Sequence, residues 1–103
     1  VPFKIAFRRV AQKEHRAAVR WYESQREGLG ERYLNAIAMK LAEIQQFPTR
    51  FGKVRGETRR AFVPVFPFAI YYRVIGNSKL RIIAVMHTSR DPAIWQGRSD
   101  EEE

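Results

Sequence analysis

A change of hydrophobic period halfway along the chain narrows its possible folds more than any other feature. From Ala11 to Gln46 apolar side chains return every three or four residues, and from Arg59 to His87 they alternate in twos. Period 3.6 belongs to helices with one buried face, and period 2 to strands. The first part divides at Glu27-Gly28-Leu29-Gly30. Its glycines stop one helix, spanning Ala11 to Glu27, and turn the chain into a second, from Glu31 to Gln46. So short a connection makes the two helices antiparallel neighbours.

Within the first helix Ala11, Ala18, Trp21, Tyr22 and Gln25 fall near one face. Leu34, Ile37, Leu41 and Ile44 form the stripe of the second, and Pro48 ends it. Phe3, Ile5 and Phe7 alternate with Lys4 and Ala6, which reads as a half-buried first strand. Arg50 to Thr58 reads as a basic loop. Strands are expected at Arg59 to Val63, Phe68 to Ile75 and Leu80 to His87, with Gly76-Asn77-Ser78 as the turn between the last two. Pro64 and Pro67 suit a bend or an edge beside the first of these. The order is one strand, a helical hairpin and a three-stranded antiparallel meander, which is an α+β arrangement on one sheet. The hairpin covers one face and leaves the other open as a platform for a partner.

Length and composition fit one domain over residues 1–103, with the acidic end, 99–103, expected to fray. The net charge is +8, although Asp100 to Glu103 are all acidic. A body that basic attracts a polyanion or an acidic protein. There is no cysteine, so disulfides and thiolate metal sites are excluded, and a reducing cytoplasm is the expected compartment. No apolar run is long enough for a membrane helix, and VPFKIAFRR is too short and charged for a secretory signal. Nucleotide-binding loops and nucleophile elbows are missing, and neither a cofactor nor a metal is expected.

The strand FAIYYRVI places Phe68, Ile70, Tyr72 and Val74 on one face and Ala69, Tyr71 and Arg73 on the other. Tyr71 and Arg73 together suit base stacking and phosphate binding, or equally a cross-strand pair on a solvated face. His87, at the end of the last strand, has the reference pKa of a general acid or base but no carboxylate nearby in sequence. His15 reads as surface. Ser89 to Pro92 turns the chain, and Trp95, flanked by Arg90 and Arg98, is expected to pack back onto the sheet.

Four segments together resemble the RelE/ParE toxin superfamily of type II toxin–antitoxin systems, and its ParE-like branch in particular. They are AAVRWYESQREGLGERYL, RRAFVPVFPFAIYYRV, IIAVMHTSRDP and AIWQGR, and the likeness runs from about residue 3 to 98. It implies a RelE-like sheet with a helical hairpin and a bacterial or plasmid operon. It also implies a small antitoxin whose flexible segment lies in an apolar groove beside the helices. Trp21, Tyr22, Leu34, Ile37 and Leu41 are the groove candidates.

The superfamily holds two activities. RelE-like members cut messenger RNA on the ribosome, and ParE-like members inhibit DNA gyrase by binding it. This chain departs from the nuclease pattern at several positions. Ala69 stands where that branch often has a catalytic arginine, and Arg59 and Arg60 are the only basic residues where it has a lysine-rich strand. His87-Thr88 replaces the His-Tyr ending of a related subgroup. The resemblance therefore implies a gyrase inhibitor that is not an enzyme, with target contacts among Arg59, Arg60, Tyr71, Arg73, His87, Arg90 and Arg98. An alternative is ribosome-dependent cleavage by Arg60, Arg73, His87 and Arg90. A non-toxic module that binds nucleic acid is a second alternative, resting on the +8 charge and on the strand that sets Tyr71 beside Arg73.

Overall fold

The structure is a computed structural model that describes residues 3–101. Its elements are β1 (Lys4–Phe7), α1 (Arg9–Gln25), α2 (Leu29–Gln46), β2 (Lys53–Arg55), β3 (Thr58–Phe62), β4 (Phe68–Ile75), β5 (Lys79–His87) and α3 (Ala93–Glu101). The strands form one sheet in the order β1-β5-β4-β3-β2. β1 runs parallel to β5, and the remaining pairs are antiparallel. This is the expected α+β architecture, extended by one strand and one helix.

The α1–α2 corner depends on two glycines in different ways. Gly28 has φ 86°, a left-handed conformation that side chains disfavour. Gly30 was expected in the turn but lies inside α2, at its crossing with α1. A Cβ there would stand 2.8 Å from the Val19 carbonyl oxygen and 2.9 Å from Glu23 Cβ. Glu23 also supplies the cap that glycine lacks. Its carboxylate accepts the N–H groups of Gly28 and Gly30, each at 3.0 Å, at the electropositive start of α2.

Helix α1 lies along β5 and α2 along α1. Between hairpin and sheet is the larger core, with Tyr22, Tyr33, Ile37, Ile44, Ile70, Tyr72, Leu80, Ile82 and Val85 buried. Tyr33 packs edge-on against Phe66 and Phe68, with ring centroids 5.3 and 5.1 Å away. Burial pushes the Tyr72 hydroxyl pKa up to about 12, and that hydroxyl donates to the Pro48 carbonyl at 2.7 Å. His15, expected at the surface, is half-buried between the Phe7 and Tyr33 rings, each 6.0 Å away. Two further expectations change here. Trp21 turns outward, 57% exposed, and Leu34, placed on the core stripe, is 43% exposed.

The face expected to be open is covered. Helix α3 crosses it, and Trp95 stacks on Tyr71 with centroids 4.7 Å apart and planes at 20°. Ala69, Tyr71, Ile83, Ala84, Met86 and Trp95 form a second buried cluster there. A bulge makes this possible. Tyr71 pairs with Ala84 and Tyr72 with Ile82, so Ile83 is the extra residue, and Ile83 and Ala84 both face α3. Asp91-Pro92 starts the helix as well as breaking the strand. Asp91 Oδ1 accepts the Ala93 N–H at 2.9 Å, an N-cap followed by proline.

Part of Arg50 to Thr58 is β2, which pairs with β3 and takes the edge position proposed for it. Residues 99–101 of the expected tail are the last turn of α3; 102 and 103 lie outside the described residues. Ser99 Oγ and Thr58 Oγ1 are buried in contact at 2.6 Å, and Asp100 takes two hydrogen bonds from Arg55, at 2.7 and 2.9 Å. The guanidinium beside it holds the Asp100 carboxyl below its ordinary pKa.

Candidate functional site

Several arginines expected to meet a target are committed to the fold. Arg59 donates to the carbonyls of Phe51 and Thr49, at 2.7 and 3.3 Å, and so holds the segment after α2. Arg73 donates to the Ser99 carbonyl at 2.8 Å. Arg98 forms a two-pronged pair with Glu14, at 2.8 and 2.9 Å, with both side chains largely out of solvent. Tyr71 lies under Trp95 and is 5% exposed. Arg90 is exposed, and Arg60 and His87 are half-buried.

The sheet divides those three. Arg60 pairs with Tyr71 and stands on the α3 face, its guanidinium 4.7 Å from the Phe62 ring centre. His87 pairs with Phe68 and belongs to the hairpin face. Its Nδ1 accepts the Ser89 N–H at 3.1 Å and lies 2.8 Å from Ser89 Oγ, and its ring meets the edge of Phe68. Arg90 lies in the turn beyond β5. The set Arg60, Arg73, His87 and Arg90 thus has members on opposite faces of one sheet. Among the described residues no three His, Asp or Glu side chains gather where they would hold a metal ion.

Two concavities are largely apolar. One, of about 390 Å³, lies at the end of the hairpin and is lined by Ala18, Trp21, Tyr22, Pro67, Phe68 and His87. The other, of about 470 Å³, runs between α2 and the segment joining β3 to β4. Ala36, Met39, Val65 and Phe66 line it, with Arg32, Lys40 and Glu43 also at its wall. Met39 is 75% and Val65 90% exposed. Val65 has φ 73°, a strained state for a β-branched residue. Glu43 accepts from Lys40 and Arg50, both at 2.8 Å, and these bonds hold its carboxyl below the ordinary range.

Of the five groove candidates, Trp21 and Tyr22 line the first concavity, and Tyr22 is itself buried. Ile37 is buried in the core, Leu41 is half-buried against it, and Leu34 lines neither concavity. The α2 groove itself was missed. Its signal was a second stripe on α2, with Arg32, Asn35, Ala36, Met39, Lys40 and Glu43 at spacings of three and four.

A hairpin on one face of a five-stranded sheet, β1 parallel to β5, and exposed apolar grooves beside the helices define a small α+β protein of the RelE/ParE kind. More narrowly, the chain belongs to the ParE toxin family: the profile of the ParE toxin of the type II toxin–antitoxin system, parDE, matches residues 5–92. Helix α3, with the AIWQGR segment, lies beyond that match. No curated protein is similar enough to match. Among solved structures, a chain of the chromosomal ParDE toxin–antitoxin system from P. aeruginosa is similar in fold, with a TM-score of 0.64 at 20% identity. The likeness covers 82% of this chain and 95% of that one. Among the described residues no helix is long and apolar enough to cross a membrane.

Proposed function

We propose that this chain is the toxin of a type II toxin–antitoxin pair. In this reading it acts in the cytoplasm on DNA gyrase, by binding and without catalysis, and a cognate antitoxin neutralises it. The observation that carries the binding reading is the dispersal of its basic residues. Arg59, Arg73 and Arg98 hold the fold together, and the sheet separates Arg60 from His87. General acid–base cleavage of RNA needs such groups to converge on one phosphate. Exposed apolar side chains do gather at the two apolar concavities, Trp21 at one and Met39 and Val65 at the other.

The α2 groove suits the antitoxin. Its floor takes an amphipathic segment, and Glu43 is already neutralised by Lys40 and Arg50. Arg32 is left to pair with an acid on that segment. Induced expression without a partner arrests bacterial growth in this reading. The deciding experiment runs gyrase supercoiling and cleavage of ribosome-bound messenger side by side with the purified chain. Loss of supercoiling with intact messenger is expected. The reverse result establishes the nuclease, and His87→Ala then abolishes toxicity instead of sparing it.

A further inference from the structure

The outward face of α1 carries a row of cations that the fold does not use. Arg9, Lys13, Arg16 and Arg20 are all exposed. Their spacing brings them within about 60° of one another around the helix, over about 16 Å of its length. The buried residues Ala11, Ala18 and Tyr22 are on the opposite side. None of the four makes a salt bridge or a side-chain hydrogen bond among the described residues. The acids nearest in sequence are engaged elsewhere, Glu14 by Arg98 and Glu23 by the start of α2.

This arrangement works against the helix. Like charges three and four residues apart repel each other. The first turn holds no acid, so Arg9 and Lys13 lie toward the positive end of the helix dipole, where acids are favoured. Folding gains nothing in return, and a rule broken without compensation points to a site. Where the row starts, Arg8, Arg9, Val10 and Lys13 line a concavity of about 300 Å³.

We propose that this face of α1 binds the phosphate backbone of duplex DNA, whatever its base sequence. A straight row of flexible cations matches a regular row of phosphates. No aromatic side chain stands in the row, so bases of a single strand have nothing to stack on. No apolar side chain stands in it either, so an acidic peptide finds no anchor there. None of the four residues lines either apolar concavity. DNA and a protein partner therefore have separate places on the molecule, and the surface does not depend on which enzyme the toxin inhibits.

The test is fluorescence anisotropy of the full chain with a labelled mixed-sequence duplex, without gyrase, across a salt series. Four phosphate contacts predict a log–log salt slope of about −3.6, or about 10²-fold weaker binding between about 50 and 200 mM salt. The variant R9Q/K13Q/R16Q/R20Q is expected to lose that slope and to bind at least about 10²-fold more weakly at the low-salt end. Circular dichroism shows whether it is folded, and R9K/R16K/R20K, which keeps the charge, is expected to bind as the parent does. K4Q/R26Q/K53Q/K79Q removes as much charge elsewhere and is expected to retain the slope. Equal losses in both glutamine variants would mean diffuse attraction and overturn the proposal. Tighter binding of single strands, or displacement by polyglutamate at equal charge concentration, would overturn it as well.

Discussion

Trp95 is 5% exposed and stacks on Tyr71, so a single side chain from the end of the sequence closes one face of the sheet. Trp95→Ala removes the largest side chain of the smaller core and leaves a cavity above Tyr71. Its expected cost is roughly 3–5 kcal/mol, read as a lower urea midpoint; an unchanged midpoint would contradict the packing. The other residue-scale prediction concerns pH. Burial, with Arg16 adding to it, lowers the pKa of His15 below its ordinary 6.5. The unfolded chain then takes up a proton at a higher pH than the folded one. His15 therefore contributes stability above about 6.5, which is lost as pH falls from there toward and through the lowered folded value. Urea unfolding at about pH 7.5 and 5.5 is expected to show the parent losing stability. His15→Gln should lose less over the same interval.

The elements differ in how far the sequence foretold them, and the reasons are physical. Helices α1 and α2 and strands β4 and β5 are long enough to repeat their period several times. Strand β2 has three residues, too few to alternate, and forms only because β3 offers its edge. Helix α3 buries Trp95 and Ser99 but has Gly97 mid-length, so no stripe announces it. Asp91-Pro92 was its readable signal, because the turn that ends there is also the start of the helix. The site suffered from the same omission, because Tyr71 and Arg73 count as surface only if α3 is absent. Two glycines test these placements in opposite directions. Gly30→Ala drives a methyl into the Val19 carbonyl and is expected to cost about 1–3 kcal/mol. Gly97→Ala meets nothing within 4 Å and is expected to stabilise the protein by up to about 1 kcal/mol. Thermal melts of the two variants should therefore move to opposite sides of the parent.

Across the whole molecule, the pair Glu14–Arg98 joins three elements that the sequence separates widely. Glu14 comes from α1 and Arg98 from α3, and both reach β5. Glu14 accepts the Val85 N–H at 3.2 Å, and Arg98 approaches the Ile83 carbonyl at 3.4 Å. β1 is paired with β5 only from Lys79 to Ile82, so these groups lie just past the end of that pairing. The pair thus satisfies backbone groups that β1 leaves behind, and in doing so ties the hairpin layer to the α3 layer. Side-chain exposures of 13% and 14% put it in the regime where losing one partner strands the other charge. Arg98→Met is accordingly expected to cost roughly 3 kcal/mol. Glu14→Gln still accepts the Val85 N–H but leaves Arg98 unpaired, so it too destabilises. The double variant E14Q/R98M removes both charges and should cost less than the sum of the single changes, with a coupling of roughly 1–3 kcal/mol. Urea unfolding of the four proteins measures that coupling directly. Strict additivity would mean that the two layers are held by Trp95 and the apolar contacts alone.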